Sequence, residues 1–208
     1  MADTSPLRIG VLISGSGTNL QAIIDAIAET ALNVQIVKVI SSRPDAHGLK
    51  RAAAAGIPTV SLNKNLYAKA STVNQIIASE FLQASAEYIV MAGYMRMLGE
   101  EVLDAFPNRV LNLHPALLPS FKGAHAIADA FESGVKVTGV TVHFANAEYD
   151  KGPIVAQRAV PIAEDDTLET LEARMHAVEH ELYPWVLGHL AAGNITVSSE
   201  GKVHIAHA

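Results

Sequence analysis

Leu7-Arg8-Ile9-Gly10-Val11-Leu12-Ile13 runs directly into Ser14-Gly15-Ser16-Gly17-Thr18-Asn19, and that into Leu20-Gln21-Ala22-Ile23-Ile24-Asp25-Ala26-Ile27. The first stretch is short and nearly all apolar, the pattern of a strand buried on both faces. Glycines break the second. The third reads as a helix. A buried strand, a glycine turn and a helix form the first unit of an α/β fold. Further units follow it. Strands are expected at Val34 to Ile40, Thr59 to Leu62, Tyr88 to Ala92 and Arg109 to Leu113. Helices are expected at Ala46 to Ala55, stopped by Gly56, and over a long stretch from Tyr67 to Ser85. Buried strands alternating with helices imply a doubly wound, mostly parallel sheet with helices on both faces.

After Pro119 the character changes. Val137 to Phe144 and Ile154 to Ile162 read as longer strands joined by a polar loop, an antiparallel C-terminal extension of the sheet. Ile127 to Glu132 reads as a short helix. Asp165-Asp166-Thr167 offers an N-cap for the last helix, with Glu169 three residues after Asp166. Leu168, Leu171, Met175, Val178 and Leu182 then recur at helical spacing, and Pro184 predicts a kink. From Asn194 the tail alternates as a weak hairpin would.

Half of the 208 residues are hydrophobic, only 17% are charged, and the net charge is −6. One sizeable core is expected, and no general affinity for nucleic acid or anionic membrane. An anionic ligand must therefore be held by local donors. The absence of cysteine excludes disulfides and thiolate metal sites. The start, Met1-Ala2-Asp3-Thr4-Ser5-Pro6, lacks a basic signal-peptide region, and no apolar run approaches the ~20 residues of a membrane span. A cytoplasmic protein acting on small molecules is expected.

Four motifs can carry chemistry. The Ser14 to Asn19 loop lets backbone approach a phosphate at a helix N-terminus. It matches no standard motif: Leu20 stands where a dinucleotide fingerprint needs its third glycine, and the P-loop lysine is absent. An ordinary turn remains open. In Asn112-Leu113-His114-Pro115, alternate side chains share a strand face, with Cα atoms roughly 6.6 Å apart. An amide and an imidazole at the carboxyl end of a parallel strand suit catalysis. Asp150, in Asp150-Lys151-Gly152-Pro153, reads by itself as a turn residue. His176-Ala177-Val178-Glu179-His180 matches an inverted zinc-protease pattern, but lacks a clear further ligand. A solvent-facing stripe of His176, Glu179 and Tyr183, or a rim touching substrate, is the competing reading. His143, between Val142 and Phe144, reads as a structural histidine. Met91, Met95 and Met97 are either core or an adaptable apolar slot for a flat ligand.

Taken in order, five segments resemble the phosphoribosylglycinamide formyltransferases: Ile13 to Ile23, Ala92-Gly93-Tyr94-Met95-Arg96-Met97-Leu98, Leu111 to Pro119, Asp150-x-Gly152-Pro153, and Glu179-His180-x-x-Tyr183-Pro184. The resemblance spans nearly the whole chain. It implies formyl transfer from 10-formyltetrahydrofolate, a co-substrate, to the amine of phosphoribosylglycinamide in purine synthesis, without a metal. It assigns Gly17, Thr18 and Asn19 to the substrate phosphate and Glu179 to the ribose or glycinamide part. Met95, Arg96, Met97 and Leu98, together with Asn112, line the folate pocket, and the Ala145 to Asp150 loop closes over the pterin. Asn112, His114 and Asp150 are catalytic. Asn112 and a protonated His114 would donate to the oxyanion of a tetrahedral intermediate, with Asp150 favouring the imidazolium. Asp150 must then lie near His114. The chain is expected to be one domain, 1–208, with a phosphate-binding half (1–110) and a catalytic and folate-binding half (111–208), as a monomer or homodimer. Two positions depart from the family. Ala70, beside Lys69, replaces a frequent arginine, and His176 replaces a polar amide. Formyltetrahydrofolate hydrolases are the nearest rivals, but they carry an added N-terminal domain, and about six residues precede the first strand here. Methionyl-tRNA formyltransferases need a basic C-terminal domain. A non-catalytic folate-binding module is the alternative of another class.

Overall fold

The computed structural model describes residues 5–30 and 32–206. The first four residues, read above for a signal sequence, lie outside the described residues. Strand β1 (Leu7–Ile13) leads through the glycine turn into helix α1 (Thr18–Glu29). Then come β2 (Val34–Ser41), α2 (His47–Ala54), β3 (Thr59–Ser61), α3 (Ala70–Gln83), β4 (Tyr88–Met91), a four-residue α4 (Glu100–Leu103) and β5 (Val110–His114). The second part holds α5 (Ala126–Glu132), β6 (Val137–Phe144), β7 (Ile154–Pro161), the 24-residue α6 (Leu168–Ala191) and the hairpin strands β8 (Ile195–Val197) and β9 (Val203–Ile205).

Seven strands form one sheet in the order β3-β2-β1-β4-β5-β6-β7. The first five are mutually parallel, and β6 and β7 run antiparallel to their neighbours. Alternation along β1 explains the two layers. Ile9, Val11 and Ile13 pack with Leu20 and Ile23 of α1 and with Leu171, Met175 and Leu182 of α6. Leu12 faces the other way, toward Val73, Ile77 and Phe81 of α3 and Val102 of α4. The doubly wound architecture and its antiparallel extension are as the sequence implies.

The chain leaves β1 toward β2 and β3, then returns to place β4 on β1's other side. The loops after β1 and β4 therefore diverge above a topological switch point, where open α/β sheets bind ligands.

Two local expectations need correction. The long helix does not begin at Tyr67: a 3-10 turn covers Lys64–Ala68, and α3 starts after extended Lys69. The Asn63 side chain caps that separate turn by accepting from the N–H groups of Asn65 and Leu66. The capping box of α6 uses Thr167 and Thr170 instead of Asp166 and Glu169. Asp166 is engaged elsewhere, accepting from Ala163 N–H and from Arg174. Pro184, where a kink is expected, lies inside α6, which continues to Ala191. Burial of Tyr183, Val186, Leu187 and Leu190 against the sheet holds the helix together across the missing N–H. Among the described residues, no helix is long and apolar enough to cross a membrane.

Candidate active site

Above the switch point lies a cleft of about 550 Å³. One wall is the glycine loop and the start of α1. Gly17 adopts the left-handed conformation, φ 71°, and no side chain caps α1. A Cβ on Gly17 would lie 2.6 Å from the Cα of Gly48, so the turn packs directly on α2. The helix start thus presents backbone N–H groups to the cleft without a competing cap, an arrangement suited to an anion. The loop is pinned from several sides. Ser14 and Ser42 hydroxyls meet at 2.6 Å, Met95 N–H donates to Ser14 Oγ at 3.0 Å, and Arg51 Nε donates to Ser16 carbonyl at 3.0 Å.

The same wall continues onto α6. Asn19 Nδ2 donates to Glu179 Oε2 at 2.9 Å, and His176 Nδ1 donates to the same oxygen at 3.0 Å. Glu179 is 3% exposed and Tyr183 is fully buried, with its hydroxyl 3.1 Å from the carbonyls of Met91 and Leu111. The solvent-facing stripe read from spacing is therefore wrong. Packing of α6 on α1 turns Glu179 and Tyr183 inward, and only His176 stays half exposed. The hydrogen bond to Glu179 holds the His176 pKa above its ordinary value. Among the described residues no cluster of three or more acids, histidines or cysteines is placed to hold a metal ion.

The opposite end of the cleft is built from side chains. Asn112 and His114 project from the end of β5. His114 Nε2 donates to the Phe121 carbonyl at 2.8 Å, and its Nδ1 lies 3.5 Å from Asp150 Oδ2. Asp150 arrives from the loop between β6 and β7 in a left-handed conformation, φ 50°. That loop must run close to β6, because a Cβ on Gly152 would lie 1.6 Å from the Phe144 carbonyl oxygen. So Asp150 is a turn residue, as its local sequence reads, and its carboxylate is also buried beside His114. Gly123 N–H donates to Asp150 Oδ2 at 3.1 Å. Both ring nitrogens of His114 thus face oxygen atoms.

His143 belongs to this cluster, which its sequence context did not reveal. Its position opposite Asn112 comes from the antiparallel pairing of β5 and β6. Its Nδ1 donates to the Phe144 carbonyl at 3.0 Å, which leaves Nε2 to accept from Asn112 Nδ2 at 3.1 Å. Burial pushes the His143 pKa down and favours this neutral form. Asp150 Oδ1 lies 3.7 Å from the same Nε2, so one carboxylate sits between two histidines.

A narrower recess of about 40 Å³ opens beside Asn112 and Asp150. Met91, Met97, Leu98, Ala145 and Tyr149 line it, and it shares Met91, Arg96, Asn112 and Tyr149 with the main cleft. Met95 and Met97 are 64% and 56% exposed, so they form lips instead of core. The Arg96 guanidinium stacks 3.8 Å above the Tyr67 ring. Neither recess is lined by Lys69 or Ala70. The expected residues Gly17, Thr18, Asn19, Met95, Arg96, Asn112, His114 and Glu179 all line the main cleft, while Met97, Leu98 and Asp150 line the narrow recess. Another hollow, of about 630 Å³, lies away from this edge. Its charged side chains are spent locally, with Arg8 on Ser85, Ala84 and Gln35, and Lys38 on Glu80.

The chain is similar to known proteins over most of its length. The pattern of the formyl transferase family matches residues 7–187. Phosphoribosylglycinamide formyltransferase of Bacillus subtilis is 38% identical over 187 residues, covering 90% of this chain and 96% of that protein. The trifunctional purine biosynthetic protein adenosine-3 of Gallus gallus is 40% identical over 96% of this chain, which spans about 20% of its length. Among solved structures, glycinamide ribonucleotide transformylase 1 from Symbiobacterium toebii superposes with a TM-score of 0.93 at 43% identity, covering 98% of this chain and 95% of that one.

Proposed function

We propose, from the premise that this chain belongs to the formyl transferase family, that it transfers the formyl group of 10-formyltetrahydrofolate to the amine of phosphoribosylglycinamide in purine biosynthesis. The observation that carries this reading is the pairing, in one cleft, of an uncapped helix start with an Asn112–His114–Asp150 cluster. One end suits a phosphate and the other suits acyl transfer. Full-length similarity to enzymes bearing that name supports the choice of substrate.

Thr18 and Asn19, with Gly17, direct backbone N–H groups at the phosphate. Glu179 faces the sugar and glycinamide end of the substrate. Its Oε2 serves Asn19 and His176, and among the described residues no hydrogen bond reaches Oε1, which leaves that oxygen for a substrate donor. The folate co-substrate fits the narrow recess, whose Met91, Met97, Leu98 and Ala145 match a flat apolar ring; it supplies the formyl carbon. Arg96 and Met95 flank its exit into the main cleft.

At the reacting carbon, Asn112 has one amide N–H on His143 and a second directed at the oxygen that gains negative charge. Protonated His114, held between the Phe121 carbonyl and Asp150, gives a second donor. After the amine attacks, His114 gives its proton to the departing folate nitrogen as the bond from that nitrogen to the formyl carbon breaks, and the proton lost by the attacking amine restores the imidazolium beside Asp150. Protein groups supply every donor in this scheme, and it calls for no metal. The reading places residues 1–110 as the phosphate-binding half and 111–208 as the catalytic half of one domain, acting in the cytoplasm as monomer or homodimer. The recess itself draws side chains from both halves.

The test follows deformylated folate with and without phosphoribosylglycinamide. Product that depends on that substrate is expected. Equal rates with and without it would establish a hydrolase instead, and no product in either would refute the enzyme reading.

A further inference from the structure

His176 stands at the cleft rim with its side chain 51% exposed, one helical turn before the buried Glu179. The two share a hydrogen bond at 3.0 Å, and the same Glu179 oxygen receives Asn19, second residue of α1. An unbroken line of three side chains thus joins a titratable ring in contact with solvent to the first turn of the anion-binding helix. The line is asymmetric in charge. Asn19 is neutral, Glu179 is an anion, and only His176 changes charge near neutral pH.

A buried carboxylate beside a phosphate site opposes the ligand it is meant to serve. An imidazolium on that carboxylate cancels the repulsion, and a neutral imidazole does not. We propose that His176 is a specificity-determining residue whose proton, shared with Glu179, sets the affinity of the cleft for the phosphate-bearing substrate, so that binding weakens as His176 deprotonates. This rests on the reading of the glycine loop as a phosphate site.

The other groups around His176 do not substitute for it. On α6 the neighbours are Glu172 and Glu179, which favour its charged form, and His180, whose ring centroid stacks 6.4 Å away. Burial lowers the His180 pKa, so His180 stays neutral when His176 is charged. The other charged groups on elements packed against α6 are Asp25 and Glu29 of α1, Asp129 and Glu132 of α5, and Arg158 of β7; among the described residues none hydrogen-bonds the ring or pairs with it. Across the cleft the cations are Arg43, already paired with Asp45, and Arg96, stacked on Tyr67. His114 and Asp150 belong to the far end. The sign follows. The hydrogen bond to Glu179 raises the His176 pKa, so the imidazolium survives above the ordinary histidine range and is lost as pH climbs through the raised value.

The test compares wild type with His176→Gln from pH 6 to 9. Glutamine keeps a donor for Glu179 and cannot titrate. Two readouts are taken: KM for phosphoribosylglycinamide in the transfer assay, and the dissociation constant of ribose 5-phosphate by calorimetry. The ligand phosphate ionises identically in both proteins, so the variant-to-wild-type ratio removes its contribution. At pH 6 the variant is expected to bind about tenfold more weakly; at pH 9 the two should agree. In catalysis the loss should fall on KM more than on kcat. A ratio that stays constant with pH in both readouts overturns the proposal while leaving the transferase reading intact. A pH-dependent ribose 5-phosphate ratio without any formyl transfer upholds the proposal and refutes the transferase. No binding of ribose 5-phosphate by wild type at any pH removes the phosphate site and the proposal together.

Discussion

The two ends of the cleft solve different problems with different materials. At the α1 end the groups offered to the ligand are backbone N–H donors around Gly17, held by tight packing on α2. At the β5 end they are side chains: the partly buried Asn112 and the buried His114, His143 and Asp150. Backbone donors cannot ionise, so they hold an anion of fixed shape over a wide pH range. A transferred proton needs groups that titrate, and those must be shielded and paired to keep the right charge. The burial of both histidines and of Asp150 follows from that need. It also explains why the loop residues are small and the catalytic residues are polar. The α1 end also carries the buried Glu179 and, hydrogen-bonded to it at the rim, His176, through which the proposed pH dependence would act.

The largest effect separating the two ends is expected from His114→Ala. It removes the ring between Phe121 and Asp150 that the proposed mechanism uses as proton donor, and kcat should fall about 10³-fold while the affinity for ribose 5-phosphate holds. Stopped-flow or single-turnover assays beside calorimetry read both quantities. A variant that keeps full turnover would dismantle the mechanism. Glycine substitutions then contrast the ends structurally. In Gly152→Ala the new methyl meets the Phe144 carbonyl oxygen at 1.6 Å, backbone against backbone. Destabilisation of about 3 kcal/mol is expected, together with loss of turnover as Asp150 is displaced. Gly17→Ala meets Gly48 at 2.6 Å and must also hold a positive φ, so it should raise KM for the ribonucleotide with a smaller effect on kcat. Denaturant titrations and the KM-against-kcat split check these outcomes. The reverse pattern would mean that the two ends are not divided as described.

How much of this was legible beforehand depends on what kind of information each residue carries. Strands β1 and β4 are nearly continuous apolar runs, and β2 and β5 are mostly apolar ones, so they can be read directly. The helix α4 is four residues long and leaves no period to read. Asn112 and His114 can be paired from the two-residue repeat of a single strand. Asp150 cannot be joined to them by any local rule, because its place beside His114 comes from the β6–β7 turn and the close approach at Gly152. The family resemblance supplied that link, and the 3.5 Å contact agrees with it. The sequence around His143, between Val142 and Phe144, reads as structural, and its contact with Asn112 depends on cross-strand register, which sequence alone leaves undetermined. Helical spacing put Glu179 at the surface; the packing of α6 on α1 reversed that.

His143 offers a finer probe of the catalytic end. Burial lowers its pKa, so the neutral ring that accepts from Asn112 persists at neutral pH and is lost only as pH falls through the lowered value. A fall in kcat on the acid side, below the ordinary histidine range, is expected in wild type. In His143→Gln the amide oxygen can still accept from Asn112 but cannot titrate. That variant should lose about tenfold in kcat and also lose the acid limb. An unchanged limb would assign the titration to another group and return His143 to a purely structural role.

The smallest effect concerns the lips of the folate recess, where the two ends should be independent. Met97 lines the recess beside Asn112 and is 56% exposed without a ligand, so its thioether gains contacts only when a flat apolar ring enters. Truncation in Met97→Ala removes mainly apolar area that a ligand would bury, since more than half of the residue is exposed without one. Stability should therefore hold, and affinity for the folate should drop by about 1 kcal/mol, a five- to tenfold rise in its KM. The phosphate loop lies at the other end of the cleft and shares none of that apolar surface, so KM for the ribonucleotide should stay unchanged. Steady-state kinetics varying each substrate in turn can separate the two constants. A parallel rise in both would show that Met97 shapes the whole cleft through the β4 loop, whose Met95 N–H is tied to Ser14 in the phosphate wall. A change confined to the folate constant would show that this tie holds the two walls together without coupling what they bind.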